Sequence, residues 1–308
     1  MPTTISLSRN RAIGLLLLVA GCSDPVKSDQ CQDEDSPSVP GPPDSALLRA
    51  RVTIENLVSI DAAGVRTVSN SIRADLIDTT SAVQLLRKPS TGNVGSPGCY
   101  GLTGNPVTEC RPGVSPPCTL EKLDADTIEV LGLAGQAAVT LARSAKGAFN
   151  RDQLPDPIFA SGPATVRITG RAEKGYFPSM DLQVTQPEPL VLKDPLATAV
   201  ISYLTDARLG KPLGPGDIKV QWIPSTANLV AMIIDPYPAS SGSTDELQCV
   251  LVDDGCTTLL HGDLETFDIK SGSQLKLQLI RDNTQVKTEG QTSLEVKVVS
   301  RVQLVLTR

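Results

Sequence analysis

The sequence predicts an all-β protein with two antiparallel β-sandwich-like domains, which follow a signal peptide and a disordered tether. From residue 46 onward, apolar and polar residues alternate in short runs, and Gly, Pro, Asn or Asp separates the runs. This alternation places apolar side chains on one face of a strand, so the runs are typical of half-buried strands. Because no strand–helix–strand rhythm is present, the pattern favours antiparallel sheets.

The predicted strands follow one another along this whole region. Residues 230–234 are apolar on both sides, as in a central strand covered on both faces. Residues 135–146 place Ala and Leu at helical spacing, but β-branched residues before and within this stretch favour a strand. The other predicted strands lie at residues 51–57, 165–169, 217–222, 274–279, 294–298 and 302–306.

A boundary between the two domains is predicted where prolines crowd between strands. Residues 186–195 contain three prolines, and proline cannot donate to the hydrogen-bond ladder of a sheet. We therefore predict one β domain at residues 46–190 and a second at residues 196–308. The chain is too long for one simple sandwich.

The N-terminal segment has the pattern of a lipoprotein signal. Arg9 and Arg11 precede an apolar run that ends in Leu18-Val19-Ala20-Gly21-Cys22. A basic stretch, an apolar run of roughly 7–15 residues and small residues at the cleavage point make a secretory signal. A Cys directly after these small residues resembles a bacterial lipobox. The resemblance implies that residues 1–21 are a signal peptide and that Cys22 is acylated and becomes the first residue.

Two other interpretations of Cys22 stay open, namely an ordinary signal peptide and a buried hydrophobic N-terminal strand. The apolar run from Ala12 to Ala20 has nine residues, whereas a transmembrane helix needs about 20. In lipoproteins of diderm bacteria, Asp directly after the acylated Cys is the usual signal for retention in the inner membrane. Ser23 occupies that position here, so the resemblance implies an outer-membrane location.

Residues 22–45 are predicted to form the acylated Cys and a disordered tether. Residues 23–45 are rich in Ser, Pro and Asp and contain almost no apolar residue that could be buried. In an extended, polyproline-like form, this segment would span about 70 Å at most. We therefore expect the folded part to stand away from the bilayer to which Cys22 would attach it.

The charge balance excludes some classes of partner. Removal of residues 1–21 takes away Arg9 and Arg11 and no acidic residue, which leaves 26 basic and 34 acidic residues. Nucleic-acid binding depends on basic side chains that neutralise phosphates, so we expect no nucleic-acid partner. The expected partners are the lipid bilayer, through Cys22, and another protein of the cell envelope.

The cysteines predict disulfides. When the acylated Cys22 is set aside, six of the seven Cys remain. An even number of Cys in an exported chain is typical of a disulfide framework. Cys249 and Cys256 flank a Gly-containing turn at residues 253–255, so a hairpin would place them opposite each other. The other pairings stay open, and Cys31 could also form an intermolecular bond. The disulfide candidates are Cys31, Cys99, Cys110, Cys118, Cys249 and Cys256.

Catalytic and metal-binding motifs are scarce. His261 is the only His, and neither a Cys-x-x-Cys motif nor a Gly-x-Ser-x-Gly elbow is present. We therefore predict no catalytic residue, no cofactor and no metal site. Acidic residues in loops between strands can bind calcium, so Asp253, Asp254 and Asp263 are weak calcium candidates. A solvated turn is the favoured interpretation of these residues.

The C-terminal region resembles a fibronectin type III or immunoglobulin-like sandwich. The similar segments are residues 217–224, 229–234, 257–264 and 271–277, which would correspond to strands B, C, E and F. The resemblance implies that Trp222 is the buried core aromatic residue. The sequence departs from the family pattern because no tyrosine stands at Leu275 or Leu277.

Two functions from different classes remain after these observations. The first is a non-catalytic, lipid-anchored envelope protein that binds another protein or has a structural role, since the whole layout resembles lipoproteins of diderm bacteria. The second is an envelope hydrolase that depends on carboxylates or calcium. For the first, residues 235–245 are the candidate contact loop, because binding residues are often on loops of rigid sandwiches. A long solvated connection is the favoured interpretation of this loop.

Overall fold

The structure, a computed structural model, describes most of the chain after residue 45. The described residues are 46–61, 63–85, 88–89, 99–103, 107–144, 147–192, 218–225, 229–237, 246–253, 255–259, 262, 264 and 274–307. The predicted signal peptide and tether therefore lie outside the described residues. Nearly all regular structure in the described part is β-strand, which confirms the predicted all-β class.

The described residues form nineteen strands. They are β1 (Leu48–Ile60), β2 (Arg66–Asp78), β3 (Ala82–Leu85), β4 (Lys88–Pro89), β5 (Cys99–Thr103), β6 (Val107–Cys110), β7 (Glu121–Lys122), β8 (Thr127–Leu131), β9 (Ala138–Thr140), β10 (Ala142–Arg143), β11 (Phe149–Arg151), β12 (Pro163–Thr169), β13 (Met180–Thr185), β14 (Ile218–Gln221), β15 (Leu229–Tyr237), β16 (Glu246–Val252), β17 (Cys256–Leu259), β18 (Gln274–Glu289) and β19 (Thr292–Thr307).

One large sheet dominates the described fold. Ten of its eleven strands follow the order β10-β11-β2-β1-β19-β18-β15-β16-β5-β4, and the eleventh, β7, pairs with β2 beside this path. A four-stranded sheet has the order β13-β12-β8-β9. Two further pairs, β14 with β17 and β3 with β6, are two-stranded sheets.

The first and last described strands are neighbours in the large sheet. β1 and β19 run parallel, from Leu48 beside Thr292 to Ile60 beside Leu304. β19 is one strand of 16 residues where the sequence predicted two, because its alternation of buried residues continues through the gap between them. β18, also of 16 residues, pairs with it along its whole length.

The first hydrophobic core lies between the large sheet and the four-stranded sheet. Alternate residues of β1, such as Val52 and Ile54, and of β19, such as Val296, point into this core together with β2. Ile128 and Val166 belong to the residues that the four-stranded sheet contributes. The arrangement is a sandwich, in which each sheet covers the apolar face of the other.

The second hydrophobic core lies farther along the same face of the large sheet. Met232, Leu277 and Leu304 come from its strands, and Val220 and Trp222 come from β14 and the residue that follows it. Trp222 is completely buried, which agrees with its predicted role as the core aromatic residue. The large sheet therefore carries two cores side by side on one face.

A row of polar residues crosses the large sheet between these two cores. Asn70 lies opposite Asn56, Asn56 lies beside Ser300, and Ser300 lies opposite Arg281 on the next strand. All four side chains are buried, at positions where the alternation of their strands would otherwise place an apolar residue. We call Asn70, Asn56, Ser300 and Arg281 the polar row.

The predicted linker runs along the polar row. The Gln186 side chain donates to the carbonyls of Gly132 and Gly162 in the first sandwich. Four residues later, the backbone N–H of Leu190 donates to Ser300 Oγ at 2.8 Å. The chain thus passes from the first core to the second at residues 186–190, while β1 and β19 contribute residues to both cores.

The other predicted strands are present. The alternating runs at residues 51–57, 165–169, 217–222 and 274–279 lie on β1, β12, β14 and β18, apart from Asp217, which is not described, and Trp222, which forms a separate bridge. The stretch at residues 135–146 contains β9 and β10 rather than a helix. Residues 230–234 lie in β15, between β16 and β18, as expected for a central strand. The strand was predicted to be covered on both faces, but Ala231 and Ile233, on the face away from the second core, are only half-buried.

Two disulfides link the described cysteines. Cys99 in β5 lies directly opposite Cys249 in β16 and is bonded to it. Cys110 is bonded to Cys118, eight residues farther along the chain. The pairing that the sequence favoured between Cys249 and Cys256 is therefore wrong.

The cause of this error is the turn at residues 253–255. β16 and β17 do not pair with each other, since β16 lies between β15 and β5, and β17 pairs with β14 in another sheet. Gly255 has a φ of 98°, and a Cβ there would lie 3.0 Å from the Trp222 carbonyl oxygen. The turn therefore transfers the chain between sheets instead of closing a hairpin.

The two disulfides should contribute unequally to stability. The bond between Cys99 and Cys249 joins residues 150 apart, whereas Cys110 and Cys118 are 8 apart. The longer closed loop restricts the unfolded chain more, so replacing both Cys99 and Cys249 by Ala should lower the free energy of unfolding by roughly 2–3 kcal/mol more than replacing Cys110 and Cys118. Urea unfolding of the two double variants measures the difference. An equal loss, or a non-reduced digest that links Cys249 to Cys256, would contradict the assignment.

Candidate functional site

A buried polar cluster in the described part of the chain is centred on Arg281. Alternation in β18 places Leu275, Leu277 and Leu279 in the second core, and Arg281 continues this inward-facing series. Its side chain is 1% exposed. Because a buried guanidinium loses its contact with water, each of its five N–H donors needs an acceptor within the protein.

Those five acceptors come from three separate segments. Nε donates to Asp253 Oδ2 at 2.8 Å, and one Nη2 hydrogen bond reaches Asp253 Oδ1 at 3.0 Å. The other Nη2 hydrogen bond reaches the Ile223 carbonyl at 2.6 Å. Nη1 donates to the carbonyls of Glu188 and Pro189, both at 3.2 Å. Arg281 thereby holds the linker, the residue after Trp222 and the turn that follows β16.

Asp253 is the counter-ion of this cluster. Besides Arg281, it accepts a hydrogen bond from the Trp222 indole Nε1 at 2.7 Å. The indole N–H is the polar atom of the largest fully buried side chain among the described residues, and this contact gives it a hydrogen-bond acceptor. We call Arg281, Asp253 and Trp222 the buried ionic cluster.

The chemistry available to the buried ionic cluster is limited by these contacts. Both oxygens of Asp253 accept charge-assisted or indole hydrogen bonds, and the guanidinium has no donor left for a ligand. A carboxylate engaged in this way is poorly suited to bind calcium, which takes six to eight oxygen ligands. The cluster is therefore arranged to connect segments of the fold.

The remaining weak calcium candidates, Asp254 and Asp263, lie outside the described residues, as does His261. Among the residues that the structure describes, no group of three or more His, Cys, Asp and Glu side chains could hold a metal ion. The sequence grouped Asp253 with Asp254 and Asp263 by proximity along the chain. The structure instead brings Asp253 together with Arg281, which is distant in sequence.

The predicted cysteine and loop positions are only partly described. Cys22 and Cys31 lie outside the described residues. Cys256 is in β17 and lies opposite Gln221 of β14. The candidate contact loop at residues 235–245 begins within β15, and its residues 238–245 are not described. Asp235, its first residue, forms an ion pair with Lys276 at 3.0 Å.

The face of the large sheet opposite the two cores carries ion pairs between neighbouring strands. Arg51 on β1 pairs with Glu295 on β19 at 3.2 Å, and Lys297 pairs with Asp282 on β18 at 3.2 Å. Arg301 Nε lies 3.0 Å from Glu55 Oε1, although the two atoms are not aligned for a hydrogen bond. Opposite charges side by side on adjacent strands stabilise the pairing of those strands.

Tyr100 and Arg171 are two of the described groups whose pKa values are shifted. Burial raises the pKa of the Tyr100 hydroxyl, and the neighbouring Glu246 carboxylate raises it further. Hydrogen bonds from the exposed Arg171 guanidinium to Asp126 raise the pKa of that guanidinium. Arg171 also lies over the Tyr176 ring, 4.8 Å from its centroid. Neither group lies in a cluster that would support acid–base catalysis.

Sequence reasoning missed the role of Arg281, although a signal was present. In the run from Gln274 to Asn283, Leu275, Leu277 and Leu279 occupy one face, and Arg281 takes the next position on that face. A charged residue at an inward-facing position requires a buried partner. The sequence could therefore indicate that Arg281 has a partner, but not that this partner is Asp253.

No protein-family model matches the chain, and no curated protein matches it. Within the part of the chain that the structure describes, no helix has the length and apolar character needed to cross a membrane.

Loss of one member of the buried ion pair should destabilise the fold strongly. Asp253→Ala leaves the Arg281 charge buried without a counter-ion and removes the partner of Trp222 Nε1. We expect the free energy of unfolding to fall by about 3–5 kcal/mol, measured by urea denaturation.

An exposed ion pair offers a matched control. Lys122 and Asp75 are 2.7 Å apart, with both side chains about half exposed, so Asp75→Asn should change the free energy of unfolding by at most about 1 kcal/mol. The double variant Asp253→Leu with Arg281→Leu should recover part of the loss, because no lone charge is left buried. Equal effects of Asp253→Ala and Asp75→Asn would contradict this role.

Proposed function

We propose that the chain is a lipid-anchored protein of the bacterial cell envelope, without catalytic activity, whose β-rich body binds another envelope protein or has a structural role. The observation that carries the proposal is the run Leu18-Val19-Ala20-Gly21-Cys22 after two arginines. In this proposal, Cys22 carries the lipid and residues 23–45 connect it to the folded body.

The disulfides support an exported location. Cys99–Cys249 and Cys110–Cys118 are compatible with an exported protein, because such bonds persist mainly in oxidising compartments. The mature chain has 26 basic and 34 acidic residues, a net charge near −8, and this balance disfavours a polybasic surface for anionic lipids. This charge makes acylation of Cys22 the more suitable means of attachment to a membrane.

The outer membrane is the proposed location within the envelope. Ser23, rather than Asp, follows Cys22, and the resemblance to lipoproteins of diderm bacteria makes Asp at that position the inner-membrane signal.

We propose that the protein has no catalytic activity because its described buried charged side chains are paired with each other. Among the described residues, Asp253 and Arg281 are the buried charged side chains, and they neutralise each other. Perturbed, partly accessible titratable groups are typical of active sites, and this pair is neither accessible nor open to a ligand. Binding by the rigid β body is the function that these contacts favour.

Cys22→Ser should abolish lipid attachment. Ser offers no thiol for the diacylglycerol, so metabolic labelling with palmitate should no longer label the protein, and the protein should leave the membrane fraction. Three acyl chains, each contributing about 0.8 kcal/mol per buried CH₂, account for stable anchoring of the parent chain. Fractionation and labelling of expressed protein provide both measurements.

The matched control is Cys31→Ser, which makes the same chemical change nine residues away. This variant should keep both the label and the membrane location. A Cys22→Ser protein that remains labelled or membrane-bound would refute the lipid anchor. Ser23→Asp should move the labelled protein from the outer to the inner membrane fraction, and no movement would refute the outer-membrane assignment alone.

A further inference from the structure

One part of the large sheet ends in an open edge. β2 has β1 on one side, and on the other side β11 pairs with it only from Ile72 to Ala74. Beyond this contact, the Leu154 N–H donates to the Asn70 carbonyl at 3.2 Å. No described residue pairs with the outer side of the first residues of β2, at Arg66–Ser69.

The direction of the backbone groups in this segment follows from its pairing with β1. Asp61 N–H donates to the Val65 carbonyl at 3.2 Å, and the antiparallel register continues without a break from this turn. Hydrogen-bonded positions alternate along such a pair. Thr67 and Ser69 therefore direct their N–H and C=O groups toward β1, and Arg66 and Val68 direct theirs away from it.

Two contacts farther along β2 agree with this direction. The carbonyls of Asn70 and Leu76, which have the same parity as Arg66 and Val68, accept hydrogen bonds on the outer side from Leu154 and Leu123. Arg66 and Val68 thus direct their N–H and C=O groups to the outer side of β2. No described residue forms a backbone hydrogen bond with these groups.

The open edge is also accessible. All four residues from Arg66 to Ser69 are exposed, and Val68 is 37% exposed although it lies opposite Val58, which packs against the second core. The segment contains no proline and no bulge, two devices that protect edge strands. An unprotected row of N–H and C=O groups is a template for another strand.

We propose that this edge pairs with the same edge of a second copy of the chain, so that the large sheet continues across a two-fold axis at Thr67. In this register Arg66 of each copy lies opposite Val68 of the other, and the two Thr67 residues face each other. The Asn70 carbonyl already accepts a hydrogen bond from Leu154 N–H, so Asn70 is not available to a second copy. When the register is centred on Thr67, the outward N–H and C=O groups of Arg66 in each copy pair with those of Val68 in the other.

The side chains favour this antiparallel arrangement. It places no like charges directly opposite each other, whereas parallel pairing in register would place Arg66 beside Arg66, which is destabilising. Val68 lies opposite Arg66 of the other copy, whose aliphatic stem would cover Val68 at the exposed margin of the second core. The interface is short, so the association is weak in solution and is detected best by covalent trapping. It does not depend on the lipid anchor.

Thr67→Cys in the full chain that also carries Cys22→Ser tests the proposal. Thr67 would face itself at a position without hydrogen bonds, where Cα atoms are about 4.5 Å apart, within the range that a disulfide can span. Mild oxidation should give a disulfide-linked dimer on a non-reducing gel, well above the level of the same chain without Thr67→Cys.

Ser69→Cys is the matched control, because Ser69 is exposed and lies on the same strand and the same face. It would lie opposite Val65 of the other copy rather than opposite itself, so its dimer yield should stay at the background level. Equal yields from Thr67→Cys and Ser69→Cys, or no dimer from Thr67→Cys, would overturn the proposal.

Val68→Pro, added to Thr67→Cys, tests the backbone pairing itself. It removes an N–H that points away from β1, and proline is tolerated at the outer side of an edge strand. The fold, checked by circular dichroism, should persist while the dimer yield falls to the level of Ser69→Cys. A folded Val68→Pro variant that still forms the dimer would overturn the proposed edge pairing.

Discussion

The ion pair between Arg281 and Asp253 is the interaction on which the second half of the structure depends. A buried charge costs several kcal/mol unless its hydrogen-bonding groups are all paired. Arg281 meets this requirement only when the linker carbonyls, the Ile223 carbonyl and the turn after β16 are all in place. Since those segments come from three distant parts of the chain, one side chain fixes the path of the linker and the layer that covers the second core.

The polar row explains how one sheet can carry two separate cores. Along β1 and β19, apolar residues point to the same face on both sides of Asn56 and Ser300. Asn56 donates to Asn70 at 2.7 Å, and Asn70 donates to the Pro155 carbonyl at 2.9 Å, so the buried amides are paired. A slip of one residue in register would move these polar groups to the opposite face and break the pairs. The row therefore fixes the register of the central strands.

Local sequence patterns were sufficient to predict the strands. They were not sufficient to predict the pairings that depend on contacts between residues far apart in sequence. Alternation identified β1, β12 and β18, and the prolines at residues 186–195 indicated where the chain leaves the first core. The turn at residues 253–255 looked like a hairpin because Gly255 suits one, but Asp253 is directed inward by Arg281. The bond between Cys99 and Cys249 and the parallel pairing of β1 with β19 join residues far apart in sequence. Neighbouring residues carry no information about such contacts.

The position of β1 between two long strands has a mechanical consequence. A pulling force applied at Ala46 along the direction of β1 would act on a strand that is paired over 13 residues with β2 on one side and with β19 on the other. Such a force shears both ladders at once, so many hydrogen bonds share the load instead of opening one after another. The strand that directly follows the N-terminal segment is thus held against traction by two long ladders.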